Sequence, residues 1–133
     1  MELLLNNVSA GYGSEKVLKD IDLSIKDGEN VFIGGRNGSG KTTLLRVMSG
    51  LMEHEGSVTV GGNDISKMKR RNVAGLIALM PQSTEMYFQY TCYQTVLLGR
   101  FARSKSIFGN FTSEDREAAK AAMETCGVYE YKD

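Results

Sequence analysis

Eight consecutive residues carry the most readable chemistry in the chain: Gly35-Arg36-Asn37-Gly38-Ser39-Gly40-Lys41-Thr42. They satisfy G-x-x-x-x-G-K-[ST] at every fixed position. The glycines let the backbone wrap closely enough to aim successive N–H groups at an anion. A helix starting at about Gly40 adds its unsatisfied first amides and the positive end of its dipole. Lys41 places a cation where the β- and γ-phosphates of a nucleotide would lie, and the Thr42 hydroxyl can ligate a bridging Mg²⁺. The bland alternative is a glycine-rich turn that only joins strand to helix. Context favours phosphate binding, because an apolar run precedes the motif and an amphipathic segment follows it.

The elements that must position this loop can be read around it. Residues 2–8 form a strand candidate, ended by the turn Ala10-Gly11-Tyr12-Gly13. Ile21-Asp22-Leu23-Ser24-Ile25 alternates with the period of a half-buried strand. Asp27-Gly28 turns the chain into Asn30-Val31-Phe32-Ile33, a short apolar run suited to a buried strand. Residues 42–50 carry Leu44, Leu45, Val47 and Met48 at helical spacing and close on Gly50. Ser57-Val58-Thr59-Val60 then Gly61-Gly62 reads as strand and turn, and Leu76-Ile77-Ala78-Leu79-Met80 as a buried strand stopped by Pro81. Residues 91–103 and 114–126 read as helices, the second with Thr112 and Ser113 as N-cap candidates and Gly127 past its end. The order of strands, loop and helices is that of an α/β domain.

Composition bounds the rest. The 133 residues suit one domain, with 41% apolar and 24% charged residues. Sixteen basic and sixteen acidic residues cancel, which argues against a nucleic-acid partner or an acidic lipid surface; Lys67, Lys69, Arg70 and Arg71 read as a solvated face. No apolar run approaches the roughly 18 residues a bilayer span needs, and the N-terminus has no basic region or cleavage site of a secretory signal. Cys92 and Cys126 lie far apart and read as reduced thiols of a cytosolic protein.

These motifs together resemble the ATP-binding subunits of ABC transporters. Gly11-Tyr12-Gly13 with Val17-Leu18 resembles the A-loop, in which an aromatic ring stacks on adenine, here Tyr12. Residues 35–42, continuing as Thr43-Leu44-Leu45, resemble the family's Walker A motif and helix. Gly56-Ser57-Val58-Thr59-Val60-Gly61-Gly62 with Asp64-Ile65 resembles the antiparallel strands after it, and Met80-Pro81-Gln82 resembles the Q-loop. The resemblance implies the N-terminal portion of a P-loop NTPase of the ABC type. That portion has an antiparallel β subdomain, an incomplete parallel core sheet and the start of a helical subdomain. Residues 1–90 would be nucleotide-binding core and β subdomain, and 91–133 the helical start. Lys41 and Gln82 would serve catalysis, and Thr42 and Gln82 would bind Mg²⁺. Tyr12, Val17, Gly35, Arg36, Asn37, Gly38, Ser39, Gly40, Lys41, Thr42 and Thr43 would bind ATP. The partners implied are a transmembrane permease and a second ATP-binding subunit in a head-to-tail dimer, on the cytoplasmic side of the membrane. Val96-Leu97-Leu98-Gly99-Arg100, Phe108-Gly109 and Ser113-Glu114-Asp115 are similar to importers of iron-siderophore, heme or cobalamin complexes.

Some features depart from the family pattern. Arg36 stands where proline is common, and His54 where the family often has proline in a turn. No LSGGQ-like signature, no four apolar residues followed by Asp-Glu and no late histidine occur in the chain. Without that glutamate no obvious general base is present, so weak Mg-ATP binding and poor hydrolysis are expected. Loss of the strand bearing it would leave Val31-Phe32-Ile33 as an open apolar edge, which points to a fragment or to cover by a partner or domain swap. Met86, Tyr87 and Phe88 read equally as core packing or as part of a groove for a helix of the membrane subunit. The competing functional reading is a nucleotide-binding remnant without turnover. A soluble P-loop kinase or GTPase is weaker, since no Asn-Lys-x-Asp motif or basic lid is found.

Overall fold

The computed structural model of the protein describes residues 1–82, 89–103 and 110–133. Two compact units follow one another along the chain, Met1–Leu79 and Met80–Asp133, where the sequence reading divides it after residue 90.

The first unit is built on a four-stranded antiparallel sheet. Strand β1 (Leu3–Tyr12) pairs with β2 (Glu15–Ile25) on one side and β3 (Glu55–Val60) on the other, and β4 (Asn63–Asp64) closes the order β2-β1-β3-β4. Gly13, at φ 58°, opens the two-residue turn between β1 and β2, as a type II′ hairpin requires. Gly61 and Gly62, at φ 55° and 79°, make the β3–β4 turn, and a glycine pair tolerates both positive angles. Both hairpins are longer than the sequence pattern implies. The β2 strand starts six residues earlier than expected (Glu15 against Ile21), because pairing across the tight turn carries polar residues into the ladder.

The helix α1 (Lys41–Met48) lays Val47 and Thr43 against this sheet. Val47 joins Leu5, Val8, Leu18, Val58 and Val60 in one buried cluster, edged by Leu44, Met48, Ile21 and Leu23. A short helix α2 (Arg70–Ala74) adds Val73, and a 3₁₀ turn Ile65–Lys67 adds Ile65. Asp64 caps that turn by accepting from the Ser66 N–H at 3.0 Å.

Two expected strands are absent among the described residues. Segments 30–33 and 76–80 have no ladder partner and no regular structure; Phe32 is 93% exposed and Met80 95%. Both read as parallel-sheet strands, which pair only with strands distant in sequence and need both faces covered. The antiparallel part of the fold, closed by tight turns, forms without them. The parallel core expected from the sequence is thus present only as unpaired segments.

The second unit packs α3 (Cys92–Leu98) against α4 (Ser113–Thr125), burying Leu97, Ala119 and Met123. Each helix opens on a capping box: Thr91 with Gln94, and Thr112 with Asp115. The α3 helix stops at Leu98 instead of running to residue 103. Gly99 is its C-cap, i→i+3 turns follow it, and the Arg100 side chain pairs with the buried Asp115 carboxylate at 3.0 Å. The Tyr93 N–H donates to the Lys132 carbonyl at 2.9 Å, and Lys120 and Lys132 each lie 5.5 Å from the Tyr129 ring. Among the described residues no helix is long and apolar enough to cross a membrane.

Candidate functional site: a phosphate-binding loop seated on a β-hairpin

The loop begins where segment 30–33 ends and closes into α1. Gly38 and Gly40 stand at φ 81° and 89°, left-handed angles that glycine adopts without cost. Ser39 N–H donates to the Arg36 carbonyl at 3.2 Å, which folds the loop into a turn. A Cβ on Gly35 would lie 2.6 Å from the Ser39 Oγ, so a side chain there would force that hydroxyl to turn away. At Gly38, a Cβ would meet nothing within 4 Å, and the concave side there is open.

Gly40 is the N-cap of α1 and has no side chain to cap it, and no acidic residue stands in the first turn. The first amides of a helix have no acceptor inside it. Here they are left to an external anion, and the helix dipole favours one. Lys41 Nζ donates to the carbonyls of Gly35 and Arg36, each at 2.8 Å. The ammonium therefore bridges the loop and stands on its rim. Thr42 is exposed beside it, as are Arg36, Asn37 and Ser39. Backbone amides, one cation and a free hydroxyl are the donor set that a Mg-nucleotide's phosphates require. The residues present fit that group. Among the described residues there is no cluster of three His, Cys, Asp or Glu side chains that could hold a metal by itself.

The β1–β2 hairpin seats the loop. A Cβ on Gly40 would come within 3.1 Å of both Val17 Cγ1 and Leu18 Cδ2, so β2 presses directly on the start of α1. Tyr12, the last residue of β1, is 52% exposed, with its hydroxyl accepting from Arg46 Nη1 at 3.1 Å. The neighbouring Thr43 side chain first, and then Arg46, hold the phenol below its usual range. The structure thus brings Tyr12, Val17 and residues 35–43 together in one unit.

Gln82 belongs to the second unit and is exposed. Met86, Tyr87 and Phe88, and the Phe108-Gly109 pair, lie outside the described residues. His54 is half-buried just ahead of β3, its Nδ1 3.3 Å from the Met52 carbonyl oxygen. Lys67 pairs with Asp64 at 3.0 Å, as a solvated face would. Sequence reasoning missed Arg46. Its three-residue spacing from Thr43 places both on one helix face, but nothing local points to Tyr12, 34 residues earlier.

Comparison with known proteins bears on the same residues. The ABC transporter family model matches residues 18–133. The chain is 36% identical over 130 residues to the iron(3+)-hydroxamate import ATP-binding protein FhuC of Bacillus subtilis (strain 168), covering 97% of this chain and 48% of that protein. It is 34% identical over 109 residues to the hemin import ATP-binding protein HmuV of Bartonella henselae, covering 79% of this chain and 41% of the relative. The chain thus spans less than half the length of either. A crystal structure of a nucleotide-free ATP-binding cassette from an ABC transporter superposes with a TM-score of 0.82 at 24% identity, covering 100% of this chain and 57% of that one; this shows the fold. The α/β architecture, with its antiparallel sheet and helices, is that of the N-terminal portion of such a cassette. The chain belongs to the ABC transporter family, among the relatives of its import ATP-binding subunits.

Proposed function

We propose that the chain forms the nucleotide-binding part of an ABC importer's ATP-binding subunit, gripping Mg-ATP through residues 35–43. The observation that carries this is the uncapped start of α1 behind an open glycine loop, with Lys41 on its rim. In this reading the amides of Gly38 to Thr43 hold the phosphates, and Lys41 exchanges a carbonyl contact for a phosphate oxygen. Tyr12 offers its ring to adenine, with Val17 beneath the loop. By the family resemblance Thr42 and Gln82 would bind the metal, and Lys41 and Gln82 would serve catalysis. Mg²⁺, when bound, neutralises charge on the phosphate oxygens.

The subunit would sit on the cytoplasmic face of the membrane against a transmembrane permease and pair head-to-tail with a second ATP-binding subunit. The names of three relatives, iron-hydroxamate, hemin and cobalamin import proteins, support an iron complex or a cobalamin-like compound as cargo. Among the chain's own residues no carboxylate is assigned to accept a proton from an attacking water, so turnover by this chain alone is expected at background level.

Titration with Mg-ATP tests the reading. Saturable binding that disappears in Lys41→Ala is the expected result; binding that survives that change removes the loop from the proposal. Hydrolysis above background by the purified 133-residue chain would instead show that a base has gone unassigned.

A further inference from the structure

We propose that Arg46 is a positioning residue for the nucleotide base: it holds the Tyr12 hydroxyl, so one helix fixes both the phosphate grip and the base platform. This rests on the nucleotide-binding reading above and adds to it a determinant of base affinity.

Tyr12 ends β1 at a hairpin tip, where half of its surface meets solvent. A tyrosine there would ordinarily move between rotamers. Its ring carries a polar handle, and here the handle is taken. Arg46 Nη1 donates to it at 3.1 Å. Arg46 has no carboxylate partner among the described residues; its guanidinium donates to the tyrosine oxygen. A surface arginine with nothing but solvation to do would not need that geometry. Arg46 stands on α1, the helix whose first residues are Lys41 and Thr42. Fixing the phenol at its hydroxyl leaves the ring faces free, as stacking on a base requires. The ordering cost of the ring is met before any ligand arrives, which is how preorganisation raises affinity.

Inorganic tripolyphosphate separates the two halves of the site, because it carries the phosphates and no base. Dissociation constants for Mg-ATP and Mg-tripolyphosphate would be measured by calorimetry on the wild type, Arg46→Ala, Tyr12→Phe, the double variant and Arg46→Lys. Arg46→Ala is expected to weaken Mg-ATP about fivefold, the scale of one hydrogen bond, and to leave Mg-tripolyphosphate unchanged. Tyr12→Phe keeps the ring but loses the handle and should reproduce that effect. The double variant should be no weaker than either single one, and Arg46→Lys should recover part of the loss. Equal weakening of both ligands in Arg46→Ala would overturn the proposal, placing Arg46 in support of the loop itself. Unchanged Mg-ATP affinity, or additive losses in the double variant, would overturn it too. If the wild type bound neither ligand, the nucleotide-site reading would fall and this proposal with it.

Discussion

The seat of the phosphate loop can be tested by adding one methyl group to Gly40. At φ 89° a non-glycine residue pays about 1–2 kcal/mol for the left-handed backbone. Reduced freedom of the unfolded chain returns about 0.5 kcal/mol. The new Cβ would also stand 3.1 Å from Val17 Cγ1 and Leu18 Cδ2, closer than ordinary contact, so both side-chain ends must give by a few tenths of an ångström. Crowding of that kind costs about 1–2 kcal/mol where neighbours are held. Leu18 is held, buried in the core with Val47 and Leu5. Gly40→Ala should therefore destabilise the fold by about 2–3 kcal/mol. Gly28→Ala is the control: φ is 78°, yet nothing lies within 4 Å of the added atom, so only the backbone cost of about 1 kcal/mol applies. Urea unfolding with a common slope measures both. The displaced turn should also weaken Mg-tripolyphosphate binding in Gly40→Ala and spare it in Gly28→Ala. Equal stability losses in the two variants would refute the idea that β2 seats the loop.

Further changes address other parts of the molecule. Replacing Lys41 by alanine should abolish Mg-ATP binding and, by freeing the Gly35 and Arg36 carbonyls, speed amide exchange at Ser39. In Thr112→Ala the capping box of α4 is lost, and stability measured by thermal or denaturant unfolding should fall by about 1 kcal/mol. The Ser66 side chain first, then Lys67 and the Ser66 N–H, hold Asp64 down to about 2 from 3.8. A depressed acid stabilises the fold above its unfolded value, so this contribution is full above about pH 4 and is lost as the pH falls toward 2. Asp64→Asn should flatten that stretch of the stability-against-pH curve, and an unaltered curve would remove Asp64 from it. The Asp115 carboxyl, lowered chiefly by the Thr112 backbone N–H, acts with the same sign, so Asp115→Asn should flatten the acid limb further.

What the sequence discloses follows the range of each interaction. The phosphate loop is legible because its parts are neighbours: the glycines, Lys41 and Thr42 do their work within eight residues. Helix caps are legible for the same reason, and Thr112 stands at the N-cap as expected. The β1–β2 and β3–β4 hairpins are signalled by Gly13 and by Gly61-Gly62, although pairing lengthens β2 beyond its alternating stretch. The Arg100–Asp115 pair just beyond α3 was not legible, because its partners stand 15 residues apart. The same limit hides Arg46, whose partner Tyr12 is brought to it only by the packing of the hairpin on α1.

Segments 30–33 and 76–80 sharpen the point. Their apolar composition announces parallel strands, and composition is local, but a parallel strand exists only through neighbours supplied from elsewhere. Phe32 and Met80 are consequently turned to solvent while Leu5, Val8 and Val58, of equal apolarity, are fully buried in the paired antiparallel strands. The phosphate loop hangs between these regimes. Its upstream arm is an unpaired segment, so its geometry is dictated from downstream, by Gly40 against β2 and by Val47 in the core. It follows that substitutions at Val17, Leu18 or Val47 should disturb phosphate binding more than substitutions at Val31 or Phe32, although the latter pair stands nearer to Gly35 in sequence.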